Sequence, residues 1–177
     1  MRILKLIIVV TAFQGINAFS APLAVGEAPS VIKLEGDQGG KVSGEPWSSE
    51  EIAKTGKVMS LFYVDPEEKK LNEIVEEAYD KEKFPLEKHG NIAVINMAAA
   101  WYPNSVIASM LKKKQEQFPM ATYVKDIKKT IVKEWALQDD SVNVVVFARD
   151  GKVIFMRKGK MSPEEVPGLM KIIRDNL

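Results

Sequence analysis

The sequence predicts an α/β fold of three layers, a mixed central sheet with helices on both faces. Three observations predict it. Two near-continuous apolar runs, at 57–64 and 91–97, are each followed by a segment of helical period. Such runs mark strands covered on both faces. Asp150-Gly151 sits between two further apolar runs, which signals a β-hairpin. A last amphipathic segment follows Ser162-Pro163.

The first of these runs, Lys57–Val64, leads into Asp65-Pro66-Glu67-Glu68. Asp65 is placed to cap a helix, Pro66 to occupy its first position and Glu68 to close a capping box. Leu71, Ile74, Val75, Ala78 and Tyr79 then share a helical face, and Phe84-Pro85 ends the element. The strand Asn91–Met97 precedes a helix opened by Pro103-Asn104-Ser105, with Val106, Ile107, Met110 and Leu111 expected to face inward. Lys112-Lys113-Lys114 suits that helix's C-terminal half. Ala121–Lys125 reads as a strand, and Ile131–Leu137 as a strand or extended run. Asn143–Arg149 and Val153–Arg157 form the hairpin, and Ser162-Pro163-Glu164-Glu165 reads as a second capping box. The strand–helix–strand order implies parallel pairing through right-handed crossovers.

The N-terminus reads as a leader. Arg2 and Lys5 precede the apolar stretch Leu6–Phe13, and polar, small residues follow. That is the order of a secretory signal peptide, expected over residues 1–18 with cleavage after Ala18. The stretch is shorter than the roughly 20 apolar residues a membrane span needs. Residues 19–55 are rich in Gly, Pro and Ser and are expected to be irregular, with Val31–Leu34 a possible edge strand. Residues 56–177 form the predicted domain.

Composition excludes several classes. The chain has 25 basic and 24 acidic residues, whereas nucleic-acid binders usually carry a basic excess. It has no cysteine, so disulfides, thiol nucleophiles, CxxC chemistry and thiolate metal sites are impossible. One histidine and no GxSxG element leave no hydrolase arrangement, and GxGxxG and P-loop patterns are absent. No cofactor is implied, and no later stretch is apolar enough to span a membrane.

Several segments resemble the thioredoxin and peroxiredoxin superfamily. They are Val25-Gly26-Glu27-Ala28-Pro29, the strand entered at Gly56-Lys57-Val58, the hairpin Phe147–Val153 and the helix start at Ser162. A narrower likeness runs through Trp135–Ser141, Val144-Val145-Val146, Arg149–Val153 and Lys158–Val166. These residues are similar to the YtfJ family of small exported bacterial proteins. The resemblance implies a thioredoxin-like fold and a periplasmic location in a Gram-negative bacterium. It carries no catalytic residue across. In thioredoxin-like enzymes a reactive cysteine opens the helix after the first core strand, but this chain has Asp65, Glu67 and Glu68 there. The superfamily's cis-proline is expected around Asp140–Val144, where no proline occurs.

The candidate residues follow from these departures. Trp101 and Tyr102 close the second strand, where α/β sheets place their ligand crevice; they could floor a pocket or pack the corner. Asp65, Glu67 and Glu68 could serve acid–base or metal chemistry, or simply cap the helix. Trp135, beside Asp139 and Asp140, could mark an interface or fill the core. His89, in the polar run Glu87–Gly90, reads as a solvated loop residue. The lysine clusters at 112–114 and 125–129 could meet anionic lipid or polysaccharide, or be solvated faces. The reading that follows is a non-enzymatic binding or accessory module of the envelope, with a peptide, protein or small ligand as partner. The alternative is a carboxylate- or metal-dependent enzyme at the vacated active-site position.

Overall fold

The computed structural model describes residues 22–177. The expected leader and its cleavage site lie outside the described residues. The middle layer is a six-stranded mixed sheet. Its strands in chain order are β2 (Gly39–Lys41), β4 (Val58–Val64), β5 (His89–Asn96), β6 (Thr122–Asp126), β7 (Val142–Phe147) and β8 (Val153–Lys158). Their spatial order is β2-β6-β5-β4-β7-β8. A separate ribbon pairs β1 (Lys33–Leu34) with β3 (Trp47–Ser48). The helices are α1 (Glu50–Lys54), α2 (Glu73–Glu82), α3 (Asn104–Gln117), α4 (Thr130–Trp135) and α5 (Val166–Asn176).

The parallel core follows from the crossovers. β4, β5 and β6 run parallel, joined through α2 and α3. β7 returns antiparallel to β4, and β8 to β7. The hairpin turns at Asp150-Gly151 as expected, with Gly151 at φ +83. β4 and β7 are the most buried strands, and their apolar runs are what allow burial on both faces. On one face α2 and α5 cover Val58, Val144 and Val146 through Val75, Leu169 and Ile173. On the same face Ile107 and Leu111 of α3 cover Ile95 and Met97. On the other, Ile52 of α1, Trp47 of β3 and Ile131 and Trp135 of α4 cover Leu61, Val94 and Phe147.

The region expected to be irregular supplies the sheet's edge. β2 lies antiparallel on β6, with Gly39 opposite Asp126. A Cβ at Gly39 would stand 1.9 Å from the Lys125 carbonyl oxygen, and φ is +135. Only glycine permits that approach. Among the described residues, no helix is long and apolar enough to cross a membrane.

Four local expectations are corrected. The helix expected at Pro66 begins at Glu73, after a 3-10 turn over Lys69–Asn72. Asp65 accepts the Glu67 N–H at 2.9 Å, which closes a tight turn and delays the helix. Ile131–Leu137 is not extended: its first five residues belong to α4, and the buried positions Ile131, Val132 and Trp135 have helical spacing. Val106 and Met110 face outward, 44% and 56% exposed, while Ile107 and Leu111 are buried. At the last helix, Glu165 accepts the Ser162 N–H at 2.7 Å, as a capping box requires. The helix itself starts only at Val166.

Candidate functional site

The strand ends bring the sequence candidates to one rim. β4, β5 and β6 finish there, and the turn before β7 lies against them. Asp65 is buried, and its N–H donates to the Ser141 carbonyl at 3.1 Å. The vacated active-site turn is thus tied to the segment where the superfamily's proline was expected. Burial holds the Asp65 carboxyl above the usual range; the Glu67 N–H works against that, and the charges of Asp140, Glu67 and Glu68 add to it. Glu68 is exposed and bonds through its backbone N–H to the Asp65 carbonyl at 3.1 Å.

Next along the rim is a polar group missed by sequence reasoning. Asp126 is fully buried. Its Oδ1 accepts the Thr130 N–H at 2.9 Å, and its Oδ2 accepts the Ile131 N–H at 2.8 Å. It also accepts the Tyr63 hydroxyl at 3.2 Å, and burial first, then this carboxylate, pushes the Tyr63 phenol up. Asp126 therefore caps α4 and anchors Tyr63. The helical spacing of Ile131, Val132 and Trp135, five to nine residues after an aspartate, was the available signal. Lys129 bridges Asp139 at 2.7 Å and Asp140 at 3.5 Å. Asn96 donates to Asp139 at 3.3 Å, and its own Oδ1 is buried without a protein donor.

Trp101 and Tyr102 crown the end of β5. Trp101 is 73% exposed and Tyr102 47%. Their rings stack with centroids 4.0 Å apart. The Trp101 N–H donates to Glu67 Oε1 at 3.0 Å, which fastens this ledge to the turn after β4. The pair neither packs the corner nor floors an enclosed pocket. It stands proud of the surface, as an apolar contact would.

Two expectations fail here. Trp135 is fully buried, donates its indole N–H to the Ser30 carbonyl at 3.0 Å and packs 6.0 Å from the Phe147 ring. It is a core residue and cannot form a partner surface. His89 is not solvated either. It opens β5, is 3% exposed, and lies beside Phe84 and Tyr79. Tyr79 donates to Ser60 Oγ at 2.7 Å, and Ser60 Oγ stands 2.9 Å from His89 Nε2. Burial holds the imidazole pKa down at about 4, so the ring is neutral at pH 7. This Ser–His pair is sealed inside the sheet and α2, away from any reactant.

Taken with the sheet order, these features define a class: a thioredoxin-like fold without the thiols. The solved structures agree. A putative protein disulfide isomerase from Bacteroides thetaiotaomicron aligns with a TM-score of 0.61 at 18% identity, covering 88% of this chain and 91% of that one. A putative thiol:disulfide interchange protein DsbE from Chlorobium tepidum aligns with a TM-score of 0.58 at 19% identity, covering 87% and 98%. At these identities the likeness shows the fold alone. The model of the family described as bacterial protein of unknown function (YtfJ_HI0045) matches residues 26–176. The chain belongs to that family. It is 24% identical over 155 residues to the uncharacterized protein YtfJ of Escherichia coli strain K12, covering 86% of this chain and 82% of the relative. It is 22% identical over 130 residues to an uncharacterized protein of Haemophilus influenzae, covering 73% and 71%. With no cysteine, this member cannot act as a thiol oxidoreductase of the kind its fold usually hosts.

Proposed function

We propose that the chain is exported to the periplasm and works there as a non-enzymatic binding or accessory module. The observation that carries this reading is the Trp101–Tyr102 ledge: two stacked, exposed aromatics at the strand ends where the fold otherwise places its chemistry. The energetic reason is simple. An exposed aromatic pair leaves apolar area in water that a partner recovers on contact. Export is supported by the leader pattern of Arg2, Lys5 and Leu6–Phe13.

The carboxylate-enzyme alternative needs Asp65, Glu67 or Glu68 to converge with a further acid or with His89. His89 pairs with Val58, seven residues before Asp65 along β4. At about 3.3 Å per residue that is roughly 20 Å away. No grouping of three or more metal-capable side chains occurs among the described residues. Asp65 already serves its own turn.

The test has two arms. The full chain is expressed in a Gram-negative cell, fractionated, and its N-terminus sequenced; recovery in the cytosol with Met1 intact sinks the export half. A photoreactive phenylalanine analogue at position 102 then reads the binding half. Cross-links that vanish when Trp101 is changed to alanine support it. Cross-links equally frequent from an analogue placed at Lys171, an exposed position on α5, refute it.

A further inference from the structure

We infer that the exposed flank of α3, with the loops at its two ends, docks on an anionic phospholipid bilayer. The inference rests on the binding-module reading and names its partner. Nine large apolar side chains are exposed among the described residues, and six fall between positions 101 and 120: Trp101, Tyr102, Val106, Met110, Phe118 and Met120. Scattered apolar exposure is ordinary; concentration on one element is not.

The flank is built by helical spacing. Val106, Met110, Lys113 and Lys114 recur at intervals of three and four and share a side. Val106 and Met110 are each turned about 100° from the buried residue that follows, Ile107 and Leu111, which pack against the sheet, and Lys114 lies at the flank's edge nearer that buried stripe. Trp101 and Tyr102 stand ahead of the first turn, and Phe118 and Met120 follow the last. The helix between them is about 21 Å long. Apolar anchors therefore flank a basic middle. Lys114 itself sits 5.2 Å over the Phe118 ring.

Charge chooses the partner. The whole chain is nearly neutral, but positions 101–120 hold Lys112, Lys113 and Lys114 against one acid, Glu116, and Glu67, bonded to the Trp101 N–H, adds one exposed acid at the ledge. Glu116 and Lys112 stand about 120° and 160° round the helix from Met110, which leaves Lys113 and Lys114 as the charges of the flank. Lysines among exposed Trp, Tyr, Phe and Met are the composition of an interfacial helix, where ammonium groups meet lipid phosphates and rings sit at headgroup depth. A hydrated anionic glycan would use the lysines and leave the six apolar side chains in water. Lipid uses both sets.

Vesicle binding tests this. Protein purified as the cell leaves it is mixed with vesicles of phosphatidylglycerol and phosphatidylcholine, or of phosphatidylcholine alone. Trp101 is the reporter, since Trp47 and Trp135 are 1% and 0% exposed. The expected result is cosedimentation with the anionic vesicles only, weakened by salt, with Trp101 emission quenched by brominated acyl chains. Each lysine near an anionic surface is worth roughly a fivefold change in partition, so K113Q/K114Q lowers binding by about 25-fold. All variants share one N-terminus, so any retained leader cancels. Equal binding by the double variant, equal binding to both vesicle types, or quenching that persists in W101F overturns the inference. If vesicles stay bare while the photoreactive residue at 102 joins a protein, a glycan or a second copy, the membrane inference falls and the module reading stands. If that residue also joins nothing, both fall.

Discussion

Lowering the pH should cost this protein stability through a single ring, His89. The imidazole is buried beside Tyr79 and Phe84, and burial holds its pKa at about 4 against an ordinary 6.5. The folded state therefore resists the proton that the unfolded chain takes up below pH 6.5. Stability from this group is complete above 6.5 and drains as pH falls towards 4. One pKa unit is about 1.4 kcal/mol, so the loss is about 2 kcal/mol by pH 5 and about 3 kcal/mol by pH 4. Asp65 works in the opposite sense: its raised carboxyl takes up a proton in the folded state first, which favours folding as pH falls. The difference between two proteins isolates the histidine. Urea unfolding, followed by circular dichroism, is measured at pH 7.5 and pH 5.0 for the wild type and for His89→Gln. The glutamine amide can still accept from Ser60 but cannot titrate. The wild type should lose about 2 kcal/mol more than the variant between the two pH values. Equal losses, within about 0.5 kcal/mol, would show that the ring is hydrated or charged in the fold and that the burial reasoning is mistaken.

Four further expectations are open to the same unfolding assay. Trp135→Ala should cost about 3–5 kcal/mol, as emptying a core site does; a cost below 1 kcal/mol would put the ring at the surface. Asp126→Ala should cost about 3 kcal/mol, because it uncaps α4 and strands the buried Tyr63 hydroxyl. Wild-type stability in that variant would mean that water replaces the carboxylate. Gly39→Ala should cost at least about 2 kcal/mol, since the new Cβ meets the Lys125 carbonyl at a positive φ; an unchanged midpoint would mean β2 does not hold the sheet edge. Trp101→Ala should stay within about 0.5 kcal/mol of wild type, because the ring is largely in water. A large loss would turn the ledge into a structural element and weaken its claim as a contact surface.

Much of the scaffold was legible before any coordinates. The runs at 57–64 and 91–97 announce central strands because a strand buried on both faces must be apolar throughout. Asp150-Gly151 announces the hairpin because a tight turn needs a residue at positive φ. The absence of cysteine removed thiol chemistry outright, and no structure was needed for that. What the sequence left ambiguous was orientation and depth. Ile131–Leu137 reads as a strand or extended run, since a short apolar run carries too few periods to reveal a helix. Asp126 decides it, by supplying acceptors to the first N–H groups of α4. His89 sits in a polar run and was expected in water, but its neighbours in space are Ser60, Tyr79 and Phe84, the nearest of them five residues away along the chain. Trp101 follows three alanines and Trp135 follows Lys133-Glu134, yet the one in the apolar run is bare and the one in the charged run is sealed. Local sequence fixes which elements form, through propensity and period. Burial is a property of what packs against a side chain, and only the tertiary arrangement of α3, α4 and the strand ends decides which aromatic meets the core and which meets a partner.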